Sequence, residues 1–239
     1  MVTLSSAHAA LPPGQRIYAV GDVHGCAARL LAIHRAIAAD LAERPVAEAL
    51  LIHMGDYIDR GPDSAEVIAM LLRGPAVPGA RVINLMGNHE DLLLGALADS
   101  ASETKARNWL DNGGPATLRS WGVPLAGGPL EWARRIPPEH QAFLRGLALR
   151  HSAGGYLFVH AGVRPNVPLD AQSTEDLLWI REPFLSFAGD FGAVVVHGHT
   201  PIPEPVVRPN RVGIDTGAVM GGRLTCAVFE ADQVGFISL

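Results

Sequence analysis

Leu50-Leu51-Ile52-His53-Met54 runs straight into Gly55-Asp56-Tyr57-Ile58-Asp59-Arg60-Gly61, and that junction decides the fold. An apolar run of this length, closed by glycine, reads as a buried strand. The same junction recurs along the chain. Ile17-Tyr18-Ala19-Val20 meets Gly21-Asp22-Val23-His24-Gly25, and Val82-Ile83-Asn84-Leu85-Met86 meets Gly87-Asn88-His89-Glu90. Tyr156-Leu157-Phe158-Val159 ends in His160-Ala161-Gly162, and Val194-Val195-Val196 ends in His197-Gly198-His199-Thr200. In open α/β sheets, ligands bind just outside the carboxyl ends of the strands. Segments far apart in sequence are therefore expected to deliver Asp, His and Asn to one sheet edge, as a metal site requires.

Working outward, the stretches between these runs supply the helices. Leu30, Ile33 and Ile37 give helical spacing within Cys26 to Leu41. Pro62-Asp63-Ser64 opens a second helix through Val67, Ile68, Leu71 and Leu72, and Gly74-Pro75 stops it. Asp91 to Leu97 reads as a third. This βαβαβ pattern predicts a parallel sheet. From about 100 to 150 no strong strand appears, and Trp109, Leu110, Leu118, Trp121, Trp132, Phe143 and Leu147 look like anchors of short helices broken at Asn112-Gly113-Gly114-Pro115. The last ninety or so residues are again strand-rich, ending in a hairpin expected near Asp232. The expected architecture is α/β: two packed sheets with helices outside. One domain over 16–239, with a helical insertion at about 100–150 and a flexible tail at 1–15, suits the length of 239 residues.

Hydrophobic residues make up 48% and charged residues 18% of the chain, the balance of an ordinary globular domain rather than a disordered one. The net charge of −5 offers no basic footprint for nucleic acid. Two cysteines, Cys26 and Cys226, cannot build a disulfide framework and fit a reducing compartment. Met1 to Gln15 holds no Lys or Arg, so no signal peptide is expected, and no run is long enough to span a bilayer. The expectation is a cytoplasmic protein with no membrane partner.

Asp22 and His24 stand two apart at a strand end, a spacing that lets both face one cation. Asp56 could bridge it to a second, completed by Asn88, His160 and His199. The donors are oxygen and imidazole, without thiolate, which suits two divalent ions such as Mn²⁺, or Fe or Zn²⁺, in a reactive site. A water shared between cations ~3.5–4 Å apart would attack phosphorus directly and in line. A leaving alkoxide needs a proton; His89 is the candidate general acid, and Asp59 the partner that holds its charged form. Arg60 offers a bidentate donor for phosphoryl oxygens.

These blocks, in this order, resemble the calcineurin-like metallophosphoesterases, and more narrowly the bacterial branch of the phosphoprotein phosphatase family. The resemblance runs from Ile17 to about Ala227 and implies a central β-sandwich of mixed sheets flanked by helices. It implies Asp22 and His24 as first-metal ligands, Asp56 as the bridge, Asn88, His160 and His199 as second-metal ligands, His89 as acid, Asp59 as its partner and Arg60 as a phosphate clamp. It adds Arg181, in Leu178-Trp179-Ile180-Arg181-Glu182-Pro183-Phe184, as a second clamp. Gly-His-Thr being the family pattern, His199 is preferred over His197 as the ligand. Arg164 is read as a surface residue. Asp215-Thr216-Gly217 occurs once, not twice as a single-chain aspartic protease would need, and is read as a strand end and turn.

The implied activity is metal-dependent phosphoester hydrolysis, first as a serine/threonine protein phosphatase acting on phosphorylated protein, with small phosphoesters or phosphotyrosine as further substrates. The alternative of the same fold is a symmetrical hydrolase of diadenosine tetraphosphate. Such hydrolases usually lack the second Asp of the Gly-Asp-x-x-Asp-Arg-Gly block and carry Asp at the position of Glu90, so Asp59 and Glu90 favour the phosphatase. An inactive metal-binding scaffold is disfavoured because no ligand or acid is missing. Oligomeric state and regulators are not set by the sequence.

Overall fold

Alternation along each strand decides which layer a residue joins. Ile17 and Ala19, Leu50 and Ile52, and Ala227 and Phe229 face one core together with Tyr156, Phe158, Val196 and Val212. Tyr18 and Val20, Leu51, and Cys226 and Val228 face the opposite core, under the helices. Both faces of the strands are thus covered, which is why the runs read as apolar without a break.

The computed structural model describes residues 2–74, 77–98 and 103–239. Its first half holds β1 (Leu4–Ser6), β2 (Gln15–Val20), α1 (Ala27–Glu43), β3 (Glu48–His53), α2 (Ser64–Leu72), β4 (Ala80–Asn84) and α3 (Asn88–Leu97). Four short helices follow: α4 (Glu103–Asp111), α5 (Gly114–Ser120), α6 (Gly128–Arg135) and α7 (Pro138–Arg145). The rest holds β5 (Arg150–Ala153), β6 (Tyr156–Val159), α8 (Thr174–Trp179), β7 (Val194–His197), β8 (Val206–Arg208), β9 (Arg211–Gly213), β10 (Thr225–Glu230) and β11 (Gln233–Ser238).

The first sheet runs β1-β11-β10-β2-β3-β4, and the second β5-β6-β7-β9-β8. Both are mixed. β2, β3 and β4 are parallel, as the βαβαβ reading requires, while β10 joins β2 antiparallel. In the second sheet β6, β7 and β9 are parallel. The fold is therefore an α/β sandwich of two mixed sheets with helices outside. The parallel strands point their carboxyl ends the same way, and the Asp, Asn and His residues lie just beyond them.

Several expectations shift. Leu4–Ser6 is not a loose tail but an edge strand on β11, paired at Leu4 with Gly235. Ala7 and Leu11 continue the docking by donating to the carbonyls of Asp232 and Ala231, and Leu11 is buried. Backbone pairing to an open edge holds this segment, and that leaves little side-chain periodicity to read. The third strand stops at Asn84, and α3 begins at Asn88 rather than Asp91, so Asn88, His89 and Glu90 form the first turn of a helix. Polar β5, three-residue β8 and six-residue α8 are too short to carry a periodic signal. Gly74 follows α2 with φ at 94°; Pro75 lies outside the described residues, as does the start of the insertion at about 100, where Glu103 opens α4. No helix among the described residues is long and apolar enough to cross a membrane.

Candidate active site

The strand-end loops bend sharply enough to use backbone that side chains rarely adopt. His24 (φ 44°), Asp56 (53°), Asp59 (71°), Arg60 (67°) and His199 (62°) are all left-handed. Each such non-glycine residue costs of order 1 kcal/mol and must be held by its surroundings. Glycine makes the close approach feasible at Gly87 and Gly198, where a Cβ would meet Asp56 Oδ1 at 2.2 Å and Asp22 Oδ1 at 2.0 Å.

Two groups of side chains converge on shared points. His24, Asp56 and His89 form one, and Asp56, His160 and His199 the other, all buried. Asp56 belongs to both, Oδ2 lying 3.4 Å from His24 Nε2 and Oδ1 3.4 Å from His160 Nε2. Asn88 Oδ1 lies 2.9 Å from both His160 Nε2 and His199 Nδ1. Donor atoms sharing one cation at ~2.0–2.2 Å stand roughly 3 Å apart, so these separations are those of a ligand set.

Hydrogen bonding prepares the same set. The Nδ1–H of His24 donates to the Ile58 carbonyl and that of His160 to the Met54 carbonyl, each at 2.8 Å. Their Nε2 lone pairs are thereby turned into the cleft, the usual arrangement of a metal-binding imidazole. Asp22 Oδ1 is buried with no hydrogen-bond partner. Such an orphan is costly unless something else pairs it. Asp22, Asp56 and Asp215 also crowd together. Burial first, then Asp215 and Asp56, push the Asp22 carboxyl well up. Burial, with Asp56 adding, pushes Asp215 up to about 6. The imidazoles are held neutral mainly by burial, His24 at about 4 and His199 at about 3. Crowded carboxylates, neutral imidazoles and an orphaned carboxylate oxygen fit a pair of divalent cations.

His89 belongs to the first group and has a second partner outside it. Its Nδ1 lies 2.8 Å from Asp59 Oδ2, a carboxylate with no exposed surface. Burial alone would lower the His89 pKa, but Asp56 and Asp59 outweigh it and raise it. The ring therefore keeps its proton more readily than a free histidine. Its Nε2 faces Asp56 Oδ2 at 4.0 Å.

Glu90 is the largest element that the strand-end reading passes over. Its Oε2 accepts the N–H groups of Asp56 (2.8 Å) and Gly87 (2.9 Å), and its Oε1 those of Tyr57 (2.8 Å) and Ile58 (3.3 Å). One buried carboxylate thus ties the loop after β3 to the start of α3.

The calcineurin-like phosphoesterase family model matches residues 15–234. The chain belongs to that family. As a calcineurin-like phosphoesterase it is a hydrolase of phosphoesters, from a family whose centre is dinuclear. Serine/threonine-protein phosphatase 1 of Salmonella typhimurium is 32% identical over 231 residues, 89% of this chain and 91% of the relative. A symmetrical bis(5'-nucleosyl)-tetraphosphatase of an Acidovorax species is 34% identical over 182 residues, 75% of this chain. The match spans about half of that relative, 51%. A crystal structure provisionally described as a diadenosine tetraphosphatase superposes with a TM-score of 0.66 over 96% of this chain and 98% of the other, at 24% identity. A cold-active protein tyrosine phosphatase superposes at 0.61 over 92% and 77%, at 18% identity. These structures share the fold.

In this phosphoesterase, the fold brings Asp56, His24, His160, His199 and Asn88 together. Asp22 lies in neither converging group; its Oδ2 accepts the His199 N–H at 3.0 Å. His89 joins the first group while also pairing with Asp59. Arg60 is exposed and its Nη1 donates to His24 Nε2 at 2.9 Å, at the edge of that group. Arg181 is exposed beside the second, where its charge helps keep His160 and His199 neutral. His197 turns away from both and packs edge-on against Phe184 with ring centroids 4.9 Å apart. Arg164 pairs with Asp176, Nε to Oδ2 at 3.0 Å. Asp215 is buried beside the site, and its Oδ1 accepts the Gly217 N–H at 3.0 Å. Its place directly after an apolar run was a usable signal for it.

Proposed function

We propose that this phosphoesterase is a serine/threonine protein phosphatase that takes two Mn²⁺ ions, with Asp22, His24 and Asp56 holding one and Asp56, Asn88, His160 and His199 the other. Bound there, the cations would polarise the phosphoryl group and lower the pKa of the attacking water. Arg60 and Arg181 receive the equatorial phosphoryl oxygens. His89, protonated at Nε2 and held at Nδ1 by Asp59, donates a proton to the departing oxygen.

The observation that carries this reading is the buried His89–Asp59 pair at 2.8 Å. A seryl or threonyl alkoxide is a poor leaving group and needs a proton, whereas a nucleotide leaves from a tetraphosphate as a stable phosphate anion and needs none. Asp59 beside Nδ1 favours the protonated ring and so keeps that proton available. The near full-length similarity to a protein phosphatase supports the same reading. The tetraphosphatase relatives keep dinucleoside polyphosphate hydrolysis as the second reading. A paired turnover assay with Mn²⁺ separates them, one arm a phosphothreonine peptide and the other diadenosine tetraphosphate, with Asp56→Asn as blank. Faster turnover of the peptide is expected; preferential cleavage of the dinucleotide would reverse the assignment.

A further inference from the structure

We infer that the short helices between α3 and β5 are part of the proton-delivery apparatus, with Trp109 and Thr117 as positioning residues for Asp59. The inference rests on the general-acid reading of His89 above.

Asp59 has no exposed surface, and its contacts come from two directions. His89 Nδ1 approaches Oδ2 from α3. The remaining side-chain donors come from α4 and α5. The Trp109 indole N–H reaches both oxygens, at 3.1 Å to Oδ1 and 3.0 Å to Oδ2. The Thr117 hydroxyl donates to Oδ1 at 2.6 Å and accepts the Asp59 N–H at 2.8 Å. Ser64 Oγ also accepts that N–H at 3.1 Å and touches Thr117 Oγ1 at 3.1 Å. With Oδ1 occupied by Thr117 and Trp109, the rotation that would take Oδ2 away from His89 is blocked.

The same helices hold the backbone. Asp59 and Arg60 are consecutive left-handed residues with φ of 71° and 67°. Left-handed non-glycine backbone persists only where neighbours over-determine it. Thr117 binds the Asp59 N–H, and the Gly113 carbonyl accepts the Arg60 N–H at 3.3 Å. Gly113 itself has φ at 110°, and a Cβ there would stand 2.8 Å from Arg60 N. Trp109 is fully buried and packs edge-on against Trp132 of α6, centroids 5.6 Å apart, so its indole has a fixed direction. None of Asp22, His24, Asp56, Asn88, His160 and His199 takes part in these contacts. They act on the oxygen that holds the acid.

The test compares two esters on the Mn²⁺-loaded full chain: a phosphothreonine peptide, whose alkoxide needs a proton, and p-nitrophenyl phosphate, whose phenolate does not. Trp109→Phe and Thr117→Val should lower kcat on the peptide on the order of 10-fold, a fraction of what general acid catalysis supplies. For Trp109→Phe, which leaves the backbone contacts of Asp59 and Arg60 in place, KM, metal content and p-nitrophenyl phosphate turnover should stay within about twofold. Thr117→Ser, which keeps the hydroxyl, should restore the peptide rate. Equal losses on both esters, or no loss on either, would overturn the positioning role. His89→Asn is run alongside: if it too treats both esters alike, the general-acid reading itself fails, a result separable from failure of Trp109 and Thr117 alone. If Thr117→Val does not fold, the Trp109→Phe and Thr117→Ser pair decides the matter.

Discussion

Replacing Glu90 with alanine is the sharpest test of how the strand-end loops are held. The substitution removes the acceptor for four backbone N–H groups, three at 2.8–2.9 Å and one at 3.3 Å. The side chain has no exposed surface, so only water drawn into the vacated gap can replace it. A buried donor left unpaired costs about 1–3 kcal/mol. The three short bonds therefore place the loss at about 3–5 kcal/mol once some water enters the gap. That is a large share of a typical 5–15 kcal/mol stability. Urea unfolding followed by tryptophan fluorescence, with chelator present so that metal loss does not contribute, measures it. Glu90→Asp, one methylene short of the same donors, should fall between alanine and the wild type. A loss below about 1 kcal/mol for Glu90→Ala would refute the bracing role. The geometry also recasts Glu90 as a guide to substrate: it faces backbone, so any influence on specificity passes through the position of the Asp56 loop.

Asp56→Asn should abolish phosphoester turnover and reduce bound Mn²⁺ measured by elemental analysis, because Asp56 Oδ1 and Oδ2 face different groups. His89→Asn should lower turnover of a phosphothreonine peptide while two Mn²⁺ per chain remain; full activity would remove the acid role. His34 and His53 touch at 2.8 Å and are buried, which pushes their pKa values down to about 4 and about 3. The folded state takes up their protons less readily than the unfolded chain, so stability should be full above about pH 6.5 and fall below it. Over that window His34 alone contributes roughly 3 kcal/mol at most, and His34→Gln should flatten the fall in urea midpoints. At lower pH a second loss is expected. Glu230 is held below the ordinary range by Arg16. Asp40, which burial alone would raise, is held below it by hydrogen bonds from Arg44 and Tyr18. Their contribution is present above about pH 4 and lost as pH falls through their folded values, and Arg44→Ala should diminish this second step.

The parts of the fold legible in the sequence are those that side chains build alone. Strands covered on both faces leave continuous apolar runs, and a ligand-type residue beside a glycine marks four of the ends, with His160 following Val159 directly, so Asp56, Asn88, His160 and His199 stood out from local pattern. Elements held by backbone or by distant partners were not. β1 is an edge strand whose hydrogen bonds to β11 leave no periodicity. Thr117 lies 58 residues from the carboxylate it orients. Trp109 showed itself only as a large apolar anchor, because its second function depends on where one N–H points. Glu90 sat inside a recognised block, but its four backbone bonds follow from α3 beginning at Asn88, three residues earlier than its apolar spacing suggests. His24 and His89 share one converging group, and sequence alone gave one a metal and the other a proton.

That division of labour is also the most direct thing to measure. A crystal soaked with Mn²⁺ and examined at the manganese absorption edge locates the ions by anomalous scattering. The account predicts two peaks roughly 3.5–4 Å apart, bridged by Asp56, with Asp22 and His24 on one and Asn88, His160 and His199 on the other. His89 Nε2 should lie beyond bonding distance of both. A single peak, or one ligated by His89, would contradict it.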